Sequence, residues 1–240
     1  GFLLEDANYT TAVADRFVGS PEIFYSTNTS GQRNWHEGAQ WRQGDPTTGP
    51  TGTVPTEGSI AVIRRNCRMN VRVAALPSPA KVVMDYDFVL DPVVSQPLLP
   101  RMQFHTNGTY DMGTVTGTGQ ISFDTRRNVN LSGDFGAIGT DSNSVYMYFG
   151  GGNRTVTTTP LPIPNLLISA TNITFPNDIV TGYSLAIVGD GIIRPQGDVT
   201  IGTNLIPGRW IGGTFEFPNQ ATPITVTVCG NIDFTESNNA

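Results

Sequence analysis

Charge is scarce in this sequence, and lysine scarcer still. Only 14% of its 240 residues are charged, and Lys81 is the single lysine among 14 basic residues. With a formal net charge of −6, the chain lacks the basic surface that nucleic-acid binding rests on, so no nucleic-acid partner is expected. Histidine and cysteine are equally thin. His36 and His105 lie far apart, no His-x-x-x-His or Glu-x-x-His pair occurs, and Cys67 and Cys229 are isolated. That distribution argues against a transition-metal site, and no cofactor is expected. There is no G-x-S-x-G elbow, P-loop or G-x-G-x-x-G, and the glycine-rich Phe149–Asn153 stretch precedes no helical pattern. No apolar run has the length of a bilayer span, so direct membrane insertion is not expected. Residues 1 to 20 lack the apolar core of a signal peptide. The abrupt start and finish read as those of a piece of a longer chain.

Helical periodicity is the other absence. The one stretch with any helical spacing is 5 to 19, read here as lead-in or linker. What the chain has instead is turn and strand material: 27 Gly and 17 Pro, with abundant Thr, Asn and Val. After the strand-like "PEIFYS" comes a Trp-bearing loop, 34 to 58, in which Gly, Pro and Thr keep the backbone turning. From Ser59 onward short period-two runs follow one another, among them Ile60–Val62, Val71–Val73, Lys81–Met84, Ile121–Phe123 and Val145–Tyr148. The series continues with Leu166–Ile168, Ile173–Phe175, Leu185–Ile187, Val199–Ile201, Phe215–Phe217 and Ile224–Val228. Alternate apolar positions bury one face of each.

Many short strands joined by turns make either an antiparallel sandwich or barrel, or a parallel β-solenoid. A sandwich calls for strands of five to eight residues joined by two-residue Asn-Gly or Asp-Gly turns, and Asn107-Gly108 is the clearest such pair. Strands of three to five residues at unequal intervals suit a coil with sides of unequal length, each strand lying over its counterpart at about 4.8 Å. The expected fold is therefore all-β, a right-handed parallel β-helix with a loop-rich N-terminal cap. Residues 1–24 form a lead-in or linker, 25–58 the Trp-bearing cap loop, 59–235 the β-helix and 236–240 a linker to a following module. Cys67 and Cys229 read either as a long-range disulfide or as two separate thiols; in a coil with turns of roughly twenty-odd residues they lie far beyond disulfide reach, whereas in a sandwich they could touch.

Two segments also carry a resemblance. "YSTNTSGQRNWHEGAQWRQGDP" followed by "GTVPTEGSIAVIRRNCRMNVRV" resembles the opening of β-helical modules in large Bacteroidetes surface proteins. There, a Trp-containing segment leads into the first strands of a parallel β-helix. "GTGQISFDTRRNVNLSGDFGAI" and "IPNLLISATNITFPNDIVTGYSLAIVGDGIIRPQGDVTIGTN" are similar to later rungs of the same domains, so the resemblance spans 25 to about 228. "RRNCR" (64–68) departs from the Gly-His turn more usual there. The resemblance implies a module of a giant exported, extracellular protein, of the type IX secretion cargo or gliding-motility adhesin kind, whose partners are neighbouring domains of its own chain.

Candidate functional residues follow from that architecture. Trp35, His36 and Trp41 are candidates for stacking on sugar rings or for capping the open end of the coil. Arg64, Arg65, Arg68 and Arg72 form a basic cluster that reads as a solvated face of the first rungs or a contact with a neighbouring domain, with an acidic surface polysaccharide as the sharper alternative. Asp85 and Asp87 share a strand face and are weak calcium or carboxylate-pair candidates, against a reading as solvated positions alternating with inward Met84, Tyr86 and Phe88. Asp124 with Arg126 and Arg127, and Asp190 with Arg194, read as turn or surface ion pairs. Six Asn-x-Ser/Thr sequons (Asn8, Asn28, Asn107, Asn130, Asn153, Asn172) are of the number that chance supplies in a chain this rich in Asn and Thr. The expectation is a non-enzymatic spacer or adhesive module. A polysaccharide-binding or polysaccharide-cleaving β-helix is the alternative, and a trimeric tailspike-like fibre a third reading.

Overall fold

The computed structural model describes residues 20–27, 31–64, 67–85, 100–123, 128–138, 147–158, 163–170, 172–187, 191–202, 204–207, 213–217, 219 and 222–232. The stretch 5 to 19, with its helical spacing, lies outside them. The described chain is all-β apart from one 3-10 turn at Gly38–Gln40, and its strands form two long sheets of 10 and 11 strands. Every pairing among the described strands is parallel but one, that between Ile23–Ser26 and Trp41–Gln43. Consecutive strands cannot pair in parallel directly. Each therefore lies beside a strand one full turn on, from 18 residues away (Ile163 beside Thr181) to 37 (Phe24 beside Ala61). This is a solenoid-like winding, and the short alternations at Ile121–Phe123 and Val129–Leu131 are sides of its coils.

Register carries like over like. Met69, Met102, Ile121, Met147, Leu166 and Leu185 stand in one column, and all six are buried. Two residues further along each strand a second inward column runs through Val71, Phe104, Phe123, Phe149, Ile168 and Ile187. Within it the Phe104 and Phe123 rings stack at 4.7 Å with 16° between planes, and Phe123 on Phe149 at 4.8 Å and 10°. Those separations match the strand spacing itself, so backbone pairing and ring stacking are satisfied together. Each buried side chain contributes about 1.5–3 kcal/mol, which no single coil could collect without neighbours to cover it.

Corners are made by specific residues. The ten-residue strands Gly108–Gly117 and Val129–Ile138 bend from one side of the coil to the next at Gly113 and Gly133, whose φ angles are +58° and +136°. A Cβ on Gly113 would collide with the Pro79 and Ala80 carbonyl oxygens of the preceding coil, so glycine is required there both for its backbone and for its size. Another corner is stapled by carboxylates. Asp178 Oδ1 accepts from the Asp198 amide at 2.9 Å, and Asp198 Oδ1 from the Thr225 amide at 2.8 Å, one coil apart each time. Inside, the Ser184 hydroxyl donates to Asn165 Oδ1 at 2.7 Å. A polar stack is tolerated in the interior because its members bond one another.

Three features differ from the sequence reading. The parallel ladder starts ahead of Ser59, because Ile23–Ser26 and Gly31–Asn34 already pair with Ile60–Arg64 and Cys67–Val71. The strand expected at Val71–Val73 is Cys67–Val71, since inward Met69 and Val71 set its phase. Near the end of the described chain, the expected runs at 215–217 and 224–228 shrink to Thr214–Phe215 and Val226–Val228.

Candidate functional site

The residues singled out from sequence fall into different places. Trp35 and Trp41 are 1% and 0% exposed, edge to face at 4.9 Å and 73°, with Trp41 Nε1 donating to the Trp35 carbonyl at 2.8 Å. Their rings face protein, which removes them as sugar platforms; the Asn34–Thr53 segment folds inward because two indoles bury more apolar area than any other pair in it. His36 stays exposed.

The basic cluster is split. Arg64 is 1% exposed; its Nη1 donates to the Pro46 carbonyl and its backbone amide to Ser26 Oγ, each at 2.9 Å. It lies in register with Asp85 on the next strand, and burial lowers its pKa from the ordinary guanidinium value. The covering loop is held by Asp45, whose Oδ1 accepts from the Thr47 and Thr48 amides and the Thr47 hydroxyl, keeping its carboxyl well below the usual range. Arg68 is half-buried on the other sheet, in a column with Gln32 and Arg101. Arg72 is exposed beyond the strand end, and Arg65 lies outside the described residues. Asp85 is half-buried beside inward Met84. Asp87, Asp124, Arg126, Arg127 and Asp190 lie outside the described residues, among which no group of three His, Cys, Asp or Glu side chains is set to hold a metal. Cys67 is a buried thiol whose pKa burial pushes up, and Cys229 is exposed and free.

The structure instead assembles a surface that sequence reasoning missed. Asn128, Asn153, Thr155, Asn172, Thr174 and Arg194 line an open groove of about 350 Å³ on one side of the coil. These residues come from successive coils. Thr155 lies beside Thr174 and Thr174 beside Arg194 in strand register. Side chains tie the coils together along it: Asn107 Oδ1 accepts from the Asn128 amide at 2.9 Å, and Asn128 Oδ1 from the Thr155 amide at 3.0 Å. Asn172 Nδ2 donates to Asn153 Oδ1 at 2.6 Å, and Asn172 Oδ1 accepts from Arg194 Nη1. Arg194 Nη2 completes the run on Glu216 Oε2 at 2.6 Å.

A signal for this surface was present. Asn153-Arg154-Thr155 and Asn172-Ile173-Thr174 are Asn-x-Thr steps that lie in register on adjacent coils, each opening a strand. Read as chance sequons they carry no structural meaning; read against the winding they are a ladder.

The Arg194 guanidinium holds the Glu216 carboxyl below the usual carboxylate range. A carboxyl whose pKa is lower in the folded state contributes stability above its unfolded pKa, and the contribution is lost as pH falls through the folded value. Arg194→Gln is therefore expected to raise the Glu216 pKa toward an ordinary glutamate, as a carboxyl-carbon NMR titration would register. Because the pair is exposed, the melting temperature should barely move; an unshifted Glu216 titration would refute the pairing.

Among the described residues the groove offers amides, hydroxyls and the Arg194 guanidinium, a set that binds by hydrogen bonds. No protein-family model, curated protein or solved structure matches the chain.

Proposed function

We propose that this chain is a non-catalytic structural module: a right-handed parallel β-helix, capped at its N-terminal end, that serves as a stiff spacer or adhesive segment of a giant exported bacterial surface protein. The observation that carries this reading is the unbroken inward column from Met69 through Leu185, in register on six strands. Coils stacked in this way depend only on their neighbours, so adding coils adds length without a new core. The cap is supported by the antiparallel strand Trp41–Gln43, which lies against Ile23–Ser26 at the end of the sheet order, where a parallel stack would leave an open edge. Neighbouring domains of the same chain are its natural partners, and a cell-surface location follows from the spacer role.

Two measurements on the purified chain test the reading. Small-angle X-ray scattering is expected to give the cross-section and length of a short rod, and incubation with linear polysaccharides to release neither reducing ends nor unsaturated products. A near-spherical scattering profile would remove the spacer role, and product release would replace it with a polysaccharide-cleaving one.

A further inference from the structure

The groove that crosses the coils is built like a binding surface, independently of whether the module acts as a spacer. Its polar groups sit on strands or on the residue just before one, and the Asn107–Asn128 and Asn153–Asn172 contacts hold them in place, so little ordering remains to be done when a ligand arrives. Thr155 and Thr174 present hydroxyls from adjacent strands, about 4.8 Å apart along the coil axis. The groove is open rather than enclosed, which suits a chain lying along it more than a small molecule sealed within it. Among the described residues its cation, Arg194, is already engaged by Glu216 and Asn172, so an anionic ligand there would have to displace a carboxylate already in place. Among the described residues no aromatic or aliphatic side chain belongs to the lining, which disfavours a peptide with apolar anchors.

A ligand matching all four features is extended, uncharged, dense in hydroxyls and repeats on the scale of the coil spacing. We propose that the groove lined by Asn128, Asn153, Thr155, Asn172, Thr174 and Arg194 binds a linear neutral polysaccharide along the coil axis. Ring hydroxyls of successive sugar units exchange hydrogen bonds with the Thr155 and Thr174 hydroxyls and with the asparagine amides.

Calorimetric titration of the intact chain with hexasaccharides of β-glucan, α-glucan, mannan and xylan type, alongside polygalacturonate and an Asn/Thr-rich peptide, tests this. At least one neutral series is expected to bind saturably. The double variant Thr155→Val, Thr174→Val, which keeps side-chain shape, should bind that series about tenfold or more weakly with an unchanged circular dichroism spectrum and melting temperature. Absence of binding by all four neutral series, equal binding by the double variant, or tighter binding of polygalacturonate or peptide would each overturn the proposal. None of those results bears on the rod measured by scattering, so the two readings fail separately.

Discussion

Phe123→Ala is expected to destabilise the protein by about 3–5 kcal/mol, read as a drop in the denaturant midpoint. Phe123 is 1% exposed and stacks on two rings at once, Phe104 at 4.7 Å below it in the sequence order and Phe149 at 4.8 Å above. Truncation removes both contacts and leaves a cavity whose walls are strands held at fixed spacing by their own hydrogen bonds. Such walls cannot close in, so the cost belongs at the high end for a large-to-small change. Phe217→Ala is the comparison. Phe217 is 49% exposed, and its removal should cost no more than about 0.5 kcal/mol. If the two variants lose similar stability, the interior column does not support the coil as described. Because coils depend on adjacent coils, the Phe123 variant should also broaden the unfolding transition as the stack parts at that level.

Gly113→Ala is expected to have an effect as large, about 4 kcal/mol or more, for a different reason. The residue has φ +58°, and a methyl there would meet the Pro79 and Ala80 carbonyl oxygens. Gly44 separates the two contributions. Its φ is +78° with open space where a Cβ would go, so Gly44→Ala should show the left-handed backbone cost alone, about 1–2 kcal/mol. Urea unfolding of the two variants side by side measures the difference. Equal losses would mean that the corner at Gly113 has room to shift, and that the coils are packed less closely there than the backbone indicates.

Much of the architecture was legible because alternation survives in short strands. Ile121-Ser122-Phe123 and Leu185-Ala186-Ile187 each announce an inward pair, and their unequal spacing distinguishes a coil from a set of hairpins. Strands that turn a corner were harder to see. Gly108–Gly117 and Val129–Ile138 break their own period at Gly113 and Gly133, so a ten-residue strand reads as two fragments with a turn between. For the tryptophans the sequence left two roles open, sugar stacking or capping. A Gly- and Pro-rich loop signals exposure, yet Trp35 and Trp41 are buried against each other, because burial of indole is decided by what folds over it.

The lateral groove shows the same division. Asn-x-Thr is a three-residue pattern with no meaning of its own, and Arg194 and Glu216 are 22 residues apart in sequence. Only when one coil is laid over the next do these groups come within bonding distance, the Arg194–Glu216 pair at 2.6 Å. The order of residues along the chain determined which side chains alternate, where glycine permits a bend, and hence that the interior would be a stack of β-strands. The pairing of each strand with one a full turn away decided which polar groups share a surface, since contact across coils depends on turn length and register, and those are settled by packing of the whole stack rather than by any local run of residues.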